Sequence, residues 1–193
     1  MARRVPPSPP PARRRVASPN GILYPLDAHY ARMRVAPPVA RRMPPARIPP
    51  PYHQLLVHTN EMTQTLEQYL GGRIALRVLS TISRGRWYSR RLLLVEESSG
   101  RPIALGAVRI RLDAFSARIR ARILAERTPL GRVLRDGGVK YLSRPTVFFD
   151  VTPNAEMMAI LWMREASTLY GRQTHLFLGD TRIGDIVEIL PLL

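Results

Sequence analysis

Apolar and polar positions alternate most clearly just past the middle of the first half of the chain. Ile74, Leu76 and Val78 occupy every second position, the period of a half-buried strand. Two further strands follow, at about residues 87–95, centred on Leu92, Leu93 and Leu94, and at about 103–112. The turns between them hold Ser83-Arg84-Gly85-Arg86 and Ser98-Ser99-Gly100, which suits an antiparallel meander. Before the strands, Met62, Leu66, Tyr69 and Leu70 fall on one helical face, predicting a helix over about 60–70 that Gly71-Gly72 stops.

Beyond the meander the period changes. A helix is expected over about 117–126 with Ser116 as N-cap. A shorter one follows Thr128-Pro129, the threonine capping and the proline in the first turn, and ends at Gly137-Gly138. The Val- and Phe-rich run 146–151 reads as a strand, and Thr152-Pro153 starts another helix through about 162. Two closing strands, about 167–178 and 183–190, turn at Gly179-Asp180-Thr181-Arg182. Strands grouped with strands, without βαβ alternation, predict an α+β fold with helices on one face of an antiparallel sheet.

Composition changes the picture at the N-terminus. The chain has 193 residues, 30 basic and 14 acidic, a net charge of +16, and 19 prolines. Fourteen of those prolines lie in residues 1–51, which therefore read as a largely disordered Pro/Arg-rich tail ahead of a folded domain over 52–193. Residues 1–20 are expected to be disordered, whereas the apolar piece Ile22-Leu23-Tyr24-Pro25-Leu26 has the character to pack on the domain. An arginine-rich, acid-poor start is also a transit-peptide feature, but the prolines spoil the amphipathic helix such peptides need. Residues 1–50 carry +9 and residues 51–193 carry +7. The basic groups are arginines except Lys140, and no recognition helix or aromatic RNA-binding strand is visible, so no specific nucleic-acid partner is expected. Without cysteine there is no thiol nucleophile, disulfide scaffold or zinc finger. No apolar run is long enough to span a bilayer, and the start lacks a secretory signal, so a cytoplasmic location is expected.

Common chemical constellations are missing. The sequence has no GxGxxG, Walker loop or nucleophile elbow, and His29, His53, His58 and His175 lack metal spacing, so no cofactor and no metal are expected. Two residues break the local pattern. Arg90 and Arg91 sit side by side in the strand Trp87-Tyr88-Ser89-Arg90-Arg91-Leu92-Leu93-Leu94, so one of them faces the core unless the strand is exposed on both sides. Glu188 sits alone in Ile186-Val187-Glu188-Ile189-Leu190. A buried guanidinium requires an anion, and a buried carboxyl has a raised pKa suited to proton transfer. A structural ion pair, or exposure at a sheet edge, explains the same residues and is the more economical reading from physics alone.

Five segments in order resemble the chorismate lyase family. They are Glu61-Met62-Thr63-Gln64-Thr65-Leu66-Glu67, the Trp87–Leu94 strand, Thr128-Pro129-Leu130-Gly131-Arg132-Val133-Leu134, Tyr170-Gly171-Arg172-Gln173-Thr174, and Glu188-Ile189-Leu190-Pro191. The resemblance covers about residues 52–191. It departs at Glu61, where the family has serine, at Arg91, where it often has an acid, and in the closing motif, one residue shorter here.

The resemblance implies a six-stranded antiparallel sheet with helices on one face. It implies a cofactor-free lyase that converts chorismate into 4-hydroxybenzoate, a compound of ubiquinone biosynthesis, and pyruvate. Arg90 would hold a substrate carboxylate and Glu188 would be the acidic catalytic group at the ring hydroxyl. The backbone amides of Met62 and Leu130 would bind a carboxylate, and Arg172 would be a second anion contact. The partner would be a small dicarboxylate, with a monomer favoured. The alternative is a non-catalytic small-molecule-binding module, since the same fold serves as the effector-sensing domain of winged-helix transcription regulators. The proline-broken N-terminus is expected to leave no room for a winged helix in this chain. A basic tail acting on its own is the weakest option.

Overall fold

The structure, a computed structural model, describes residues 21–191. In chain order the elements are α1 (Leu26–Met33), β1 (Val39–Met43), α2 (Tyr52–Leu56), α3 (Met62–Leu70), β2 (Ile74–Arg84), β3 (Trp87–Glu96) and β4 (Pro102–Arg111). They continue with α4 (Ala117–Leu124), α5 (Leu130–Asp136), β5 (Leu142–Thr152), α6 (Ala155–Ile160), β6 (Leu169–Leu178) and β7 (Thr181–Leu190). The strands form one antiparallel sheet in the order β1-β5-β6-β7-β4-β3-β2. The α+β reading holds, but the sheet has seven strands rather than six.

The seventh strand corrects the expected tail. Within residues 21–51, α1 and β1 are regular elements, and β1 pairs with β5 from Val39 opposite Thr152 to Met43 opposite Phe148. The expected disorder of residues 1–20 lies outside the described residues.

Helices cover both faces of the sheet, not one. On the front face, α2, α3, α4 and α5 bury Leu55, Leu56, Leu66, Ile123, Val133 and Leu134 against Leu92, Leu94, Val108 and Ile110. On the back face, α1, α6 and the segment before α1 bury Leu23, Leu26, Tyr30 and Met157 against Leu93, Leu105, Val187 and Ile189. Strand alternation sends odd and even positions to opposite layers, so β3 is buried from end to end except at its terminal residues.

Local chemistry sets the boundaries. Ser116 caps α4 through its hydroxyl, which accepts from the Ile119 amide, as expected. Pro129 itself is the N-cap of α5, and Thr128 makes no side-chain cap. Asn154 caps α6 by accepting from Met157, and that helix ends at Ile160, short of Trp162. β2 runs six residues beyond Val78 because a bulge between Val78 and Ser80 resets the alternation that marked it. Pro145 interrupts β5 at a second register shift, beyond the stretch that β1 covers.

Candidate functional site

A cavity of about 70 Å³ opens between the front of the sheet and the roof formed by α3, α5 and residues 141–143. That volume holds about five waters at roughly 10–15 Å³ each. The floor comes from β3, β4, β7 and β6, where register builds two cross-strand rows. One row is Leu92, Gly106, Glu188 and Arg172. The next is Arg90, Val108, Ile186 and Thr174. Gly106 leaves the first row hollow between Leu92 and Glu188, and a Cβ there would meet the Val187 carbonyl at 3.2 Å. Leu76, Leu94, Leu130, Leu134 and Leu176 make the rest of the wall largely apolar.

Of the five residues singled out from sequence, four line this cavity: Met62, Leu130, Arg172 and Glu188. Arg172 and Glu188 face each other across β6 and β7, with Arg172 Nε donating to Glu188 Oε2 at 2.7 Å. The rest of the Arg172 guanidinium is committed as well. Nη1 donates to the carbonyls of Leu56 at 3.1 Å and His58 at 2.8 Å, and Nη2 to that of Asn60 at 3.5 Å. Arg172 therefore staples the α2–α3 connection onto the sheet, and Glu188 neutralises it. His58 completes this staple. Its Nε2–H donates to the Leu55 carbonyl at 2.8 Å, which leaves Nδ1 to accept from Arg172. Burial and the neighbouring Arg172 charge push the His58 pKa down, so the ring stays neutral.

Arg90 does not line the cavity. It is buried in the neighbouring row, and Nη2 donates to the Thr128 carbonyl at 3.1 Å while Nη1 has no partner. The expected meeting of the Arg90 guanidinium with the Glu188 carboxyl is not assembled. The economical reading, a structural ion pair, applies to Glu188, but with Arg172 as its partner. Arg91 points to the back face, where Nη2 donates to both oxygens of Glu156 at 2.6 Å.

Sequence reading missed several cavity residues. Thr174 is 1% exposed, lines the cavity, and its Oγ1 has no hydrogen-bond partner. Ser143 and Tyr141 add hydroxyl groups at the roof edge. Glu61 also lines the cavity and pairs with Arg135 at 2.8 Å. Its pKa is raised by burial, and Tyr141, its hydrogen-bonding neighbour, is raised to about 12, first by burial and then by the Glu61 charge. The one available signal was the acidic residue at 61, in a place where the resembled family has serine. Among the described residues no cluster of His, Asp or Glu has the arrangement of a metal site, and no helix is long and apolar enough to cross a membrane.

No family model and no curated protein matches this sequence. The fold has solved neighbours. A gene product of Staphylococcus aureus superposes with a TM-score of 0.53 at 8% identity, covering 69% of this chain and 89% of that one. A possible transcriptional regulator, YydK, from Bacillus subtilis superposes with a TM-score of 0.52 at 10% identity, over 71% of this chain and 63% of that one. The ligand-binding domain of a putative GntR-family transcriptional regulator from Bordetella bronchiseptica has a TM-score of 0.44 at 13% identity, over 62% of this chain and 83% of that one. This chain thus spans less than two thirds of the Bacillus protein. The two neighbours with TM-scores above 0.5 share the α+β fold expected from the resemblance, and the Bacillus one corrects the enzyme reading. The Bacillus neighbour is described as a possible transcriptional regulator and not as a chorismate lyase. Inside the protein, Glu188 lines the cavity and pairs with Arg172, whereas Arg90 is not among the lining residues. The 4-hydroxybenzoate and ubiquinone context falls with the enzyme reading.

Proposed function

We propose that the domain is a non-catalytic small-molecule-binding module, of the kind that senses an effector. The observation that carries this reading is the cavity, with an apolar wall and a buried Thr174 hydroxyl that no group among the described residues satisfies. An orphaned buried hydroxyl is costly, and a bound ligand is one way to satisfy it. The ionised groups beside it, Arg172 and Glu188, are locked to each other and to the backbone, which suits a binding wall better than a proton-transfer centre. A regulator as fold neighbour fits the same reading.

The test is melting of the purified chain with a panel of small aromatic compounds, among them phenol, benzyl alcohol, indole and benzoate. At a hundredfold excess over Kd a binder stabilises by about 2.7 kcal/mol, a shift of several degrees. Ala104→Leu, which fills the floor of the cavity, is expected to abolish the shift while the unliganded protein melts cooperatively. The compounds are expected to be recovered unchanged. A panel in which nothing shifts the native chain, or in which Ala104→Leu responds equally, overturns the reading.

A further inference from the structure

The cavity wall carries three charged side chains, Glu61, Arg172 and Glu188, and each has its counter-charge within the protein. Arg172 is committed to Glu188 and to three backbone carbonyls. That leaves the wall with no unpaired cation and a surplus of one carboxylate. The place where an anion would be received is already filled. The Glu61 carboxylate lies against Gly131, its carbon and Oε2 each 2.8 Å from where a Cβ on that glycine would stand. Arg135, an exposed residue that also pairs with Asp136 at 3.9 Å, donates to the same Oε2 at 2.8 Å, and Tyr141 lies beside the carboxylate. A glycine is required at 131 for this approach, because any side chain would strike the carboxylate.

We propose that Glu61 is the specificity-determining residue of the cavity: its carboxylate occupies from within the chain the place an anionic ligand would take among Gly131, Arg135 and Tyr141, so that the cavity accepts an uncharged apolar molecule with one hydrogen-bonding end and refuses carboxylates. This rests on the ligand-binding reading above. The polar end has a waiting partner in Thr174 Oγ1, which is both donor and acceptor. Ser143 and the second oxygen of Glu188 extend the set of acceptors. An alcohol, phenol or primary amide satisfies these groups. A carboxylate brings acceptors to acceptors and a negative charge to two others.

Benzyl alcohol and benzoate, which differ at the polar end alone, form the test pair. Calorimetric titration of the full chain at neutral pH is expected to give at least tenfold tighter binding of the alcohol. Thr174→Val, nearly isosteric, is expected to weaken the alcohol about fivefold, the effect of one neutral hydrogen bond. Glu61→Ala removes the carboxylate beside Arg135 and Tyr141 and is expected to raise benzoate affinity at least tenfold while the alcohol changes little. Should Glu61→Ala fail to fold, Glu61→Gln carries the same test, removing the charge and keeping the shape. Benzoate binding the native chain as well as the alcohol does, or gaining nothing from removal of the Glu61 charge, overturns this inference and leaves the ligand-binding reading intact. Binding of neither compound by any of the chains overturns this inference, and a full panel without any melting shift removes the ligand-binding reading as well.

Discussion

The two faces of the sheet are built from the same strands and closed in opposite ways. On the front, four helices leave a cavity, and polar groups there are incompletely matched: Thr174 Oγ1 and Arg90 Nη1 have no partner. On the back, α1, α6 and the chain before α1 lie close on the strands, and although Asp27 Oδ1 and Arg91 Nε lack partners among the described residues, other buried polar groups form a connected network. Ser89 donates to the Val108 carbonyl at 2.9 Å and so accepts from His29 Nε2 at 2.9 Å. His29 Nδ1 then accepts from Ser80 at 2.8 Å. Gln173 donates to the carbonyls of Gly21 and Tyr24, tying the start of the described chain to β6. The contrast separates a face built for stability from a face that retains room. What sets the second apart is the room beside its orphaned hydroxyl, since Thr174 lines a cavity that a ligand could occupy.

The sharpest way to break this comparison is to remove the back cover. A chain starting at residue 45 loses Leu23, Tyr24, Leu26 and Tyr30, all buried. At roughly 1.5–3 kcal/mol per side chain the loss is on the order of 10 kcal/mol, comparable with the whole stability of a domain. The truncated chain is expected to lose its cooperative melt and its near-ultraviolet circular dichroism. A truncated chain that melts within a few degrees of the full one would show that the back face does not depend on this cover.

The adjacent arginines of β3 test the contrast at one step of the chain. Arg91 is 2% exposed, its Nη2 reaches both oxygens of Glu156, and its guanidinium lies 5.1 Å from the Tyr30 ring centroid. Arg91→Met strands a partly buried carboxylate, and a loss of about 3 kcal/mol is expected, some 6–12 °C in Tm. Arg90 has no carboxylate ion pair among the described residues, and burial holds its pKa down. Arg90→Met exchanges a poorly satisfied cation for an apolar chain of similar length, so stability is expected to change by less than about 1 kcal/mol or to rise. Equal losses in the two variants would mean that the faces do not differ in how they treat a buried charge.

Much of the front face is legible from sequence, because helices and strands there follow simple periods and end at glycine or a cap. The prolines hide the stretch ahead of α3, which serves both faces, with α1 on the back and α2 on the front. Pro25, Pro44 and Pro51 look like breakers, yet they stand at the N-caps of α1, of the 3₁₀ turn Pro45–Arg47 and of α2, where a missing amide costs nothing. A proline count therefore marked as tail a stretch in which prolines start elements. The site shows a similar division. Arg90 and Glu188 stand out as charges in apolar strands, but their partners depend on register. Counted from the tight turn at Gly179-Asp180, where Leu178 opposes Thr181 and Phe177 opposes Arg182, Arg172 would oppose Val187. The register shift between Leu176 and Phe177 places it opposite Glu188 instead, on the other face. A single extra residue thus decides which arginine neutralises the carboxylate, and no local pattern announces it.

The smallest expected effect is the most diagnostic of the back network, because two groups in α1 oppose each other as pH changes. His29 is held neutral, its pKa lowered to about 4 by burial and by Arg91 and Arg32. Its unfolded counterpart titrates near 6.5, so stability present above pH 6.5 is lost as pH falls toward 4. Asp27 runs the other way: burial raises its pKa to about 6, and Oδ1 has no partner. The cost of that buried charge is present above pH 6 and is relieved as pH falls toward the unfolded value near 4. The native chain is therefore expected to show a shallow acid limb between pH 6.5 and 4, the two contributions nearly cancelling. Asp27→Asn removes the relief and steepens that limb by about 1–2 kcal/mol, a value below the full shift because the side chain is partly solvated. His29→Gln, which keeps an amide between Ser80 and Ser89, is expected to reverse the slope, so that stability rises on acidification over the same range. Urea titrations of the three proteins at pH 7, 5.5 and 4.5 read these differences directly. Parallel pH profiles in all three would mean that neither group is closed off from solvent, and that the back of the sheet is as open as the front.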